Sequence, residues 1–271
     1  MTRHNHIRLL IISIFTMIAV LTGGCSSSPS PIPPSAPQSG TGQGLTVHYI
    51  DVGQGDSILA GSDGHYMLID AGENDQADTV VSYLKQAGVT SLDYVIGTHP
   101  HSDHIGGLDK VIDEFTVGKV ILPPVEHTTR TFEDVLNAVS NKGLKITKPV
   151  PGSTYTLGNA SFTIVAPVKD YGNDLNNWSV GIRLIYGSNS FLMCGDAESQ
   201  AESDMLERGM PLKADVLKAG HHGSSTSTSS GFLKAVSPSY VVIQCGKDNS
   251  YGHPHKETME KLEKAGCQVL R

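Results

Sequence analysis

The stretch Thr98-His99-Pro100-His101-Ser102-Asp103-His104-Ile105-Gly106-Gly107 places three imidazoles and one carboxylate within six consecutive residues. A solvated polar loop would explain the polarity but not the regular His-x-His-x-Asp-His spacing. Just upstream, Leu92-Asp93-Tyr94-Val95-Ile96 is a short apolar, β-branched run that predicts a buried strand. The cluster therefore falls in the loop at that strand's C-terminal end. Imidazole and carboxylate donors without thiolate suit zinc, manganese or iron, and spacings of one or two residues let one loop serve two neighbouring ions. Gly106 and Gly107 permit a tight turn into a helix whose apolar stripe is Leu108, Val111 and Ile112.

The pattern resembles the signature of the metallo-β-lactamase superfamily of dinuclear metallohydrolases. A second run, Asp51-Val52-Gly53-Gln54-Gly55-Asp56, resembles the opening of its competence-type branch, typified by the soluble domain of the DNA-uptake protein ComEC. The likeness extends from Leu45 to the end of the chain. It implies two divalent metal ions, with zinc first and manganese as the alternative, and hydrolysis by a water activated between them. The branch points to a phosphodiester substrate, with DNA as one candidate. Rival readings of the same residues are a β-lactamase-like or lactone hydrolase and a non-catalytic metal-binding lipoprotein.

Later segments repeat the order strand, glycine, ligand. In Met193-Cys194-Gly195-Asp196 the carboxylate stands at a strand tip, where the resemblance implies a bridge between two ions and the local reading is a helix N-cap. Val216-Leu217-Lys218-Ala219-Gly220-His221-His222 ends in a histidine pair, of which His221 is expected to be the ligand and His222 a contact either to substrate or to the ligands themselves. His253, in Tyr251-Gly252-His253-Pro254-His255, resembles a position facing the leaving group. The resemblance thus implies His99, His101 and Asp196 on the first ion and Asp103, His104, Asp196 and His221 on the second. Asp103 is expected to orient the nucleophile, and His222 or His253 to serve the leaving group. Asp70, ending the run before Ala71-Gly72, is expected to buttress the histidine loop. Between His127 and His221 the chain has no histidine, whereas many superfamily members place a ligand there. The first ion is accordingly expected to be the more weakly held. Trp178, in that interval, reads as either a stacking ring or core.

Around these motifs the pattern is α/β. Two strands are expected on either side of a tight turn at Gly53–Gly55, and helices at 78–87, 107–115 and 131–142 alternate with strands. Five strands follow from Leu144 to Met193, then helices at 198–208, 229–235 and 256–265 with strands between them. Strands followed by helices, twice over, is how a four-layer αβ/βα sandwich looks in sequence, and the superfamily has that fold.

The 271 residues are 38% hydrophobic and 17% charged, an ordinary globular composition. Asp and Glu outnumber Lys and Arg 27 to 20, which argues against a non-specific nucleic-acid binder dependent on a basic face. At the N-terminus Arg3, His4, His6 and Arg8 precede an apolar run from Leu9 to Leu21, too short for a comfortable membrane span and placed like a signal-peptide core. Leu21-Thr22-Gly23-Gly24-Cys25 resembles a bacterial lipobox, with Thr22 where leucine is usual. Residues 1–25 are therefore expected to be a lipoprotein-type signal that exports the chain and attaches it to the membrane through Cys25; an uncleaved anchor or a simple secretory signal would also export it. Residues 26–44, rich in Ser, Pro and Gly, read as a tether, and 45–271 as the hydrolase domain. Of the remaining cysteines, export permits a Cys245–Cys267 disulfide, while Cys194 reads as a buried thiol.

Overall fold

The computed structural model describes residues 44–271, so the signal and most of the tether expected upstream lie outside the described residues. The first half contains β1 (Leu45–Tyr49), β2 (Ile58–Ser62), β3 (His65–Ile69), α1 (Ala77–Gln86), β4 (Ser91–Ile96), α2 (Ser102–Ile105), α3 (Leu108–Glu114), β5 (Thr116–Ile121), α4 (Arg130–Asn141) and β6 (Ile146–Thr147). The second contains β7 (Thr154–Leu157), β8 (Ala160–Ala166), β9 (Gly181–Tyr186), β10 (Asn189–Met193), α5 (Ser199–Glu207), β11 (Val216–Lys218), α6 (Ser230–Val236), β12 (Tyr240–Val242), α7 (Lys256–Lys264) and β13 (Gln268–Leu270).

Each half builds one sheet by the same scheme. Strands β1 to β3 pair antiparallel, and β3 to β6 pair parallel, which requires the crossovers that carry α1, α3 and α4. In the second sheet β7 to β10 are antiparallel and β10 to β13 parallel, with α5, α6 and α7 in the crossovers.

Strand alternation divides the side chains between layers. Leu59 and Leu68 pack under α1, α3 and α4, whereas their neighbours Ile58, Ala60, Met67 and Ile69 pack against Phe162, Ile164, Ile182 and Leu184 of the other sheet. Trp178, Leu192, Leu217 and Val241 join Ala201, Phe232 and Leu262 in the outer layer of the second half. Both sheets are covered on both faces, which is why their strands read as apolar runs in the sequence. The result is the four-layer αβ/βα sandwich, with the parallel strands of both sheets ending at one edge of the sandwich.

Two local expectations are corrected. Residues 50–57 are not a tight turn but a longer loop, because Asp56 N donates to the Asp103 carbonyl at 3.1 Å and draws the segment over the histidine loop. Gly55, at φ +143°, lies so close to that carbonyl that a Cβ would collide with it. Cys194, Cys245 and Cys267 are free thiols. The parallel pairing of Tyr240 with Gln268 and Val242 with Leu270 puts Cys267 before one end of the strand pair and Cys245 beyond the other, so they cannot be bridged. Gln268–Leu270 adds a further parallel strand beside β12, and of the two readings of Trp178 the structure selects core, its ring edge-on to Tyr171 and its Nε1 donating to the Gly172 carbonyl at 3.0 Å.

Candidate metal centre

The chemistry-bearing residues stand just past the C-terminal ends of β3, β4, β10 and β11, where parallel strands of a layered sheet leave a crevice. Asp70 follows β3 in a left-handed conformation, φ 59°, and reaches under the next loop. Its Oδ1 accepts from Thr98 N at 2.8 Å, while its Oδ2 accepts from Thr98 Oγ1 at 2.7 Å and from His104 Nδ1 at 2.8 Å. Gly195, at φ +52°, lets the Asp196 loop close on Thr98, whose Cβ would be 2.8 Å from any side chain there. His221 and His222 are both left-handed, at φ 48° and 53°. Such strain, about 1 kcal/mol or more per residue, persists where the surroundings hold it, commonly at functional sites.

The hydrogen bonds set the tautomers. His104 Nδ1 donates to Asp70, His222 Nδ1 to the Gln244 carbonyl at 3.0 Å, His221 Nδ1 to Glu198 Oε1 at 3.1 Å, and His99 Nδ1 to Thr98 Oγ1 at 3.1 Å. Each of these four rings therefore offers its Nε2 lone pair to the crevice, the usual arrangement for ligating histidines.

Four donors converge. The Nε2 atoms of His104 and His222 are 3.3 Å apart. Asp196 Oδ2 lies 3.2 Å from the first and 3.3 Å from the second, and Asp103 Oδ2 lies 3.8 Å and 3.1 Å from them. A tetrahedral zinc with bonds of about 2.0–2.1 Å needs donors about 3.3 Å apart, so the set fits such an ion. Asp196 Oδ1 is buried and has no hydrogen-bond partner, as expected of a carboxylate reserved for a cation.

Asp56 also falls in this cluster with His104, Asp196 and His222. It contacts the Nδ1 edges, 3.8 Å from His104 and 3.4 Å from His222, and pairs with the buried Lys218 ammonium, so it backs the rings from behind. Lys218 Nζ also donates to the Gly195 carbonyl at 3.3 Å and stands 3.8 Å from Asp196 Oδ1.

A second, more open group adjoins the first. His99 Nε2 is 3.0 Å from His101 Nδ1 and 4.0 Å from Asp196 Oδ2, and His221 Nε2 is 3.7 Å from the same oxygen. Asp196 Oδ2 is thus shared by both groups. Both face a cavity of about 390 Å³ also lined by Gln54, Glu73, His127, Tyr251 and His253.

A family model described as the metallo-beta-lactamase superfamily matches residues 50–247. The chain belongs to this superfamily. Within it, the chain is 29% identical to ComE operon protein 3 of Bacillus subtilis (strain 168) over 243 residues, covering 83% of this chain and 31% of that protein. It is 28% identical to competence protein ComA of Neisseria gonorrhoeae over 256 residues, covering 94% of this chain and 33% of that one. The chain therefore spans about a third of the length of these curated relatives. The crystal structure of the metallo-beta-lactamase fold protein YhfI from Bacillus subtilis superposes with a TM-score of 0.54 at 15% identity, covering 84% of this chain and 96% of that one, a likeness of fold.

Charge at this metallo-β-lactamase site is finely opposed. Burial lowers the His104 and His222 imidazoles, but Asp196 and Asp103 outweigh it and hold both well above the usual histidine range. Burial raises Asp196 and Asp103, and the histidines reverse that, holding both carboxyls below the usual range. Two buried imidazolium rings at 3.3 Å repel, so one cation between the four donors meets the same demand at lower cost. His99 is held well below its ordinary value by burial and by His104, which keeps its lone pair free. His253 is pushed down to about 4 by burial and by His221 and His222, so it is neutral at neutral pH.

The expected residues His99, His101, Asp103, His104, Asp196, His221, His222 and His253 are all brought to this crevice. The histidine pair is placed differently from the expectation: His222, buried, points Nε2 among the four donors, while His221 sits at the rim against Glu198. Lys218 and Gln244 were not anticipated, whereas Asp56, like Asp70, reads from sequence as a supporting acceptor and stands behind the rings. Lys218 carried a signal, a charge within the otherwise apolar run Val216-Leu217-Lys218. The carbonyl of Gln244 carried none, because any residue type has one.

Proposed function

We propose that this metallo-β-lactamase-superfamily hydrolase is a phosphodiesterase acting on nucleic acid, with two divalent ions, zinc first. The observation that carries the metal-dependent reading is the convergence of His104 Nε2, His222 Nε2, Asp103 Oδ2 and Asp196 Oδ2, each imidazole nitrogen within 3.1–3.8 Å of the other and of both carboxylates. His222 takes the ligand role expected of His221, and His99, His101 and Asp196 hold the other ion. The phosphodiester choice is supported by the competence-type run Asp51-Val52-Gly53-Gln54-Gly55-Asp56 and by the likeness to competence protein ComA of Neisseria gonorrhoeae.

Ions held there supply Lewis-acid polarisation of the phosphoryl group and of the attacking water. The protein's own contribution is orientation. Asp70, Gln244 and Glu198 hold the imidazoles, Lys218 offsets the surplus of buried carboxylates, and Asp103 accepts a hydrogen bond from the attacking water. His253, neutral, steadies the leaving oxygen by hydrogen bonding. Among the described residues no helix is long and apolar enough to cross a membrane. We place the enzyme outside the cytoplasm, held to the membrane by lipid on Cys25, on the strength of the N-terminal sequence.

The test is a chelator-sensitive assay against bis-p-nitrophenyl phosphate, nitrocefin and a simple lactone. Turnover of the phosphodiester, abolished by chelation and restored by zinc or manganese, is expected. Preferential turnover of nitrocefin or the lactone would replace the phosphodiester reading, and no turnover of any after metal loading would leave a metal-binding protein.

A further inference from the structure

Three rings are layered outward from the ligand cluster. The His222 and His253 rings have centroids 6.1 Å apart and planes 28° from parallel, and the His253 and Tyr251 rings 5.5 Å and 17°. Tyr251 ends the column at 64% exposure and lines the same cavity as Asp103 and His222. A lone exposed tyrosine is ordinary on a protein surface. This one is held in place. Asn249 Oδ1 accepts from Tyr251 N at 3.1 Å and from His253 N at 3.0 Å, and Asn249 Nδ2 donates to the carbonyls of Gly246 at 2.9 Å and His253 at 2.6 Å. His255 Nδ1 accepts from Ser225 N at 2.9 Å, so its Nε2 donates to the Tyr251 carbonyl at 3.1 Å. The loop is braced on both sides of the ring, one ring face is covered by His253, and little ordering remains to be done when something flat settles on the other.

We propose that Tyr251 is a stacking platform for an unpaired nucleobase flanking the scissile phosphodiester, which makes the substrate single-stranded nucleic acid. The proposal rests on the phosphodiesterase reading for the reaction, and on the ring column for the platform. Every base has a π face, so such a platform is tolerant of sequence. A base within a duplex already has both faces covered and must be freed to use it. Among the described residues no lysine or arginine lines the cavity, so a polyanion finds no row of cations there. Binding then depends on one phosphate at the ions and one stacked base, with a shallow dependence on salt. A choline phosphodiester would also seek a ring, but quaternary ammonium groups are held by cages of several aromatic rings, and among the described residues Tyr251 is the one Phe, Tyr or Trp that lines this cavity.

The test uses the metal-loaded full chain. Two probes are measured: binding of a single-stranded oligonucleotide carrying 2-aminopurine, whose fluorescence is quenched by stacking, and steady-state cleavage of intact oligonucleotides, of oligonucleotides with abasic sites flanking the cut, and of glycerophosphocholine. Wild type should quench the probe and prefer the intact strand over the abasic one by about 5- to 150-fold, expressed in KM with kcat little changed. Tyr251→Ala should lose both the quench and the preference, and Tyr251→Phe and Tyr251→Trp should keep them. Absence of quenching in wild type, or a preference that survives Tyr251→Ala, overturns the platform. So does a glycerophosphocholine turnover that falls further than oligonucleotide turnover on Tyr251→Ala. Quenching without any cleavage would instead overturn the phosphodiesterase reading and leave the platform standing.

Discussion

His104 and His222, 118 residues apart in the chain, meet Nε2 to Nε2 at 3.3 Å, with the Asp103 and Asp196 carboxylates closing around them. Two such nitrogens cannot both keep free lone pairs at that distance in a buried site without a shared positive charge. The contact joins the first half of the sandwich to the second, so whatever fills it also clamps the two sheets.

A divalent ion should therefore stabilise the fold. At a hundredfold excess over Kd, binding to the native state alone adds about 2.7 kcal/mol, which for a domain of this size corresponds to a rise in Tm of about 5–10 °C. Differential scanning calorimetry with and without chelator reads this directly. Identical melting curves would remove the clamp.

His222→Ala should weaken binding of one metal equivalent by about 100-fold or more, since a ligand is lost where even outer partners cost about 10–100-fold. His221→Ala should cost about tenfold or less, because its Nε2 stands 3.7 Å from Asp196 Oδ2 at the more open group. Metal titration followed by elemental analysis of the two variants separates them. The reverse order would restore His221 to the role expected of it from sequence.

Lys218→Met strands the Asp56 carboxylate in the interior, and loss of one partner from a buried pair costs about 3–5 kcal/mol. Adding Asp56→Asn should recover part of that, so urea unfolding of the single and double variants forms a coupling cycle. The sign with pH follows from both groups. Asp56 is a buried acid that burial raises and Lys218 lowers further, to a net depressed value, so its contribution is present above about pH 4 and fades as pH falls through the folded value. Lys218 is lowered by burial and raised further by Asp56 and Asp196, so its contribution holds below about pH 10 and fades as pH rises beyond its folded value. Equal stability of Lys218→Met and wild type at neutral pH would refute the pair's role.

Lipid attachment at Cys25 predicts that wild-type protein incorporates a fatty-acid analogue and partitions with membranes, since attached chains contribute roughly 0.8 kcal/mol per buried CH₂. Cys25→Ser should abolish the label. Unlabelled wild-type protein recovered from the medium would make Thr22 a real departure and the enzyme a secreted one.

The ligand loop, the strand tips before Asp196 and His221, and the α/β order were legible in the chain because each is a local pattern. Ligand spacing within one loop, period-two apolar runs and glycine before a donor all lie within about ten residues, where backbone geometry alone constrains what is built. Which member of the pair His221-His222 enters the donor set was decided by tertiary structure, since two successive left-handed residues aim their rings by packing against Glu198 and the Gln244 carbonyl. The same holds for Lys218, which reaches Asp56 across 162 positions, for the thiols separated by strand register, and for the ring column ending at Tyr251. Those relationships depend on how two sheets assembled independently come to face each other, and no periodicity within either half encodes that distance.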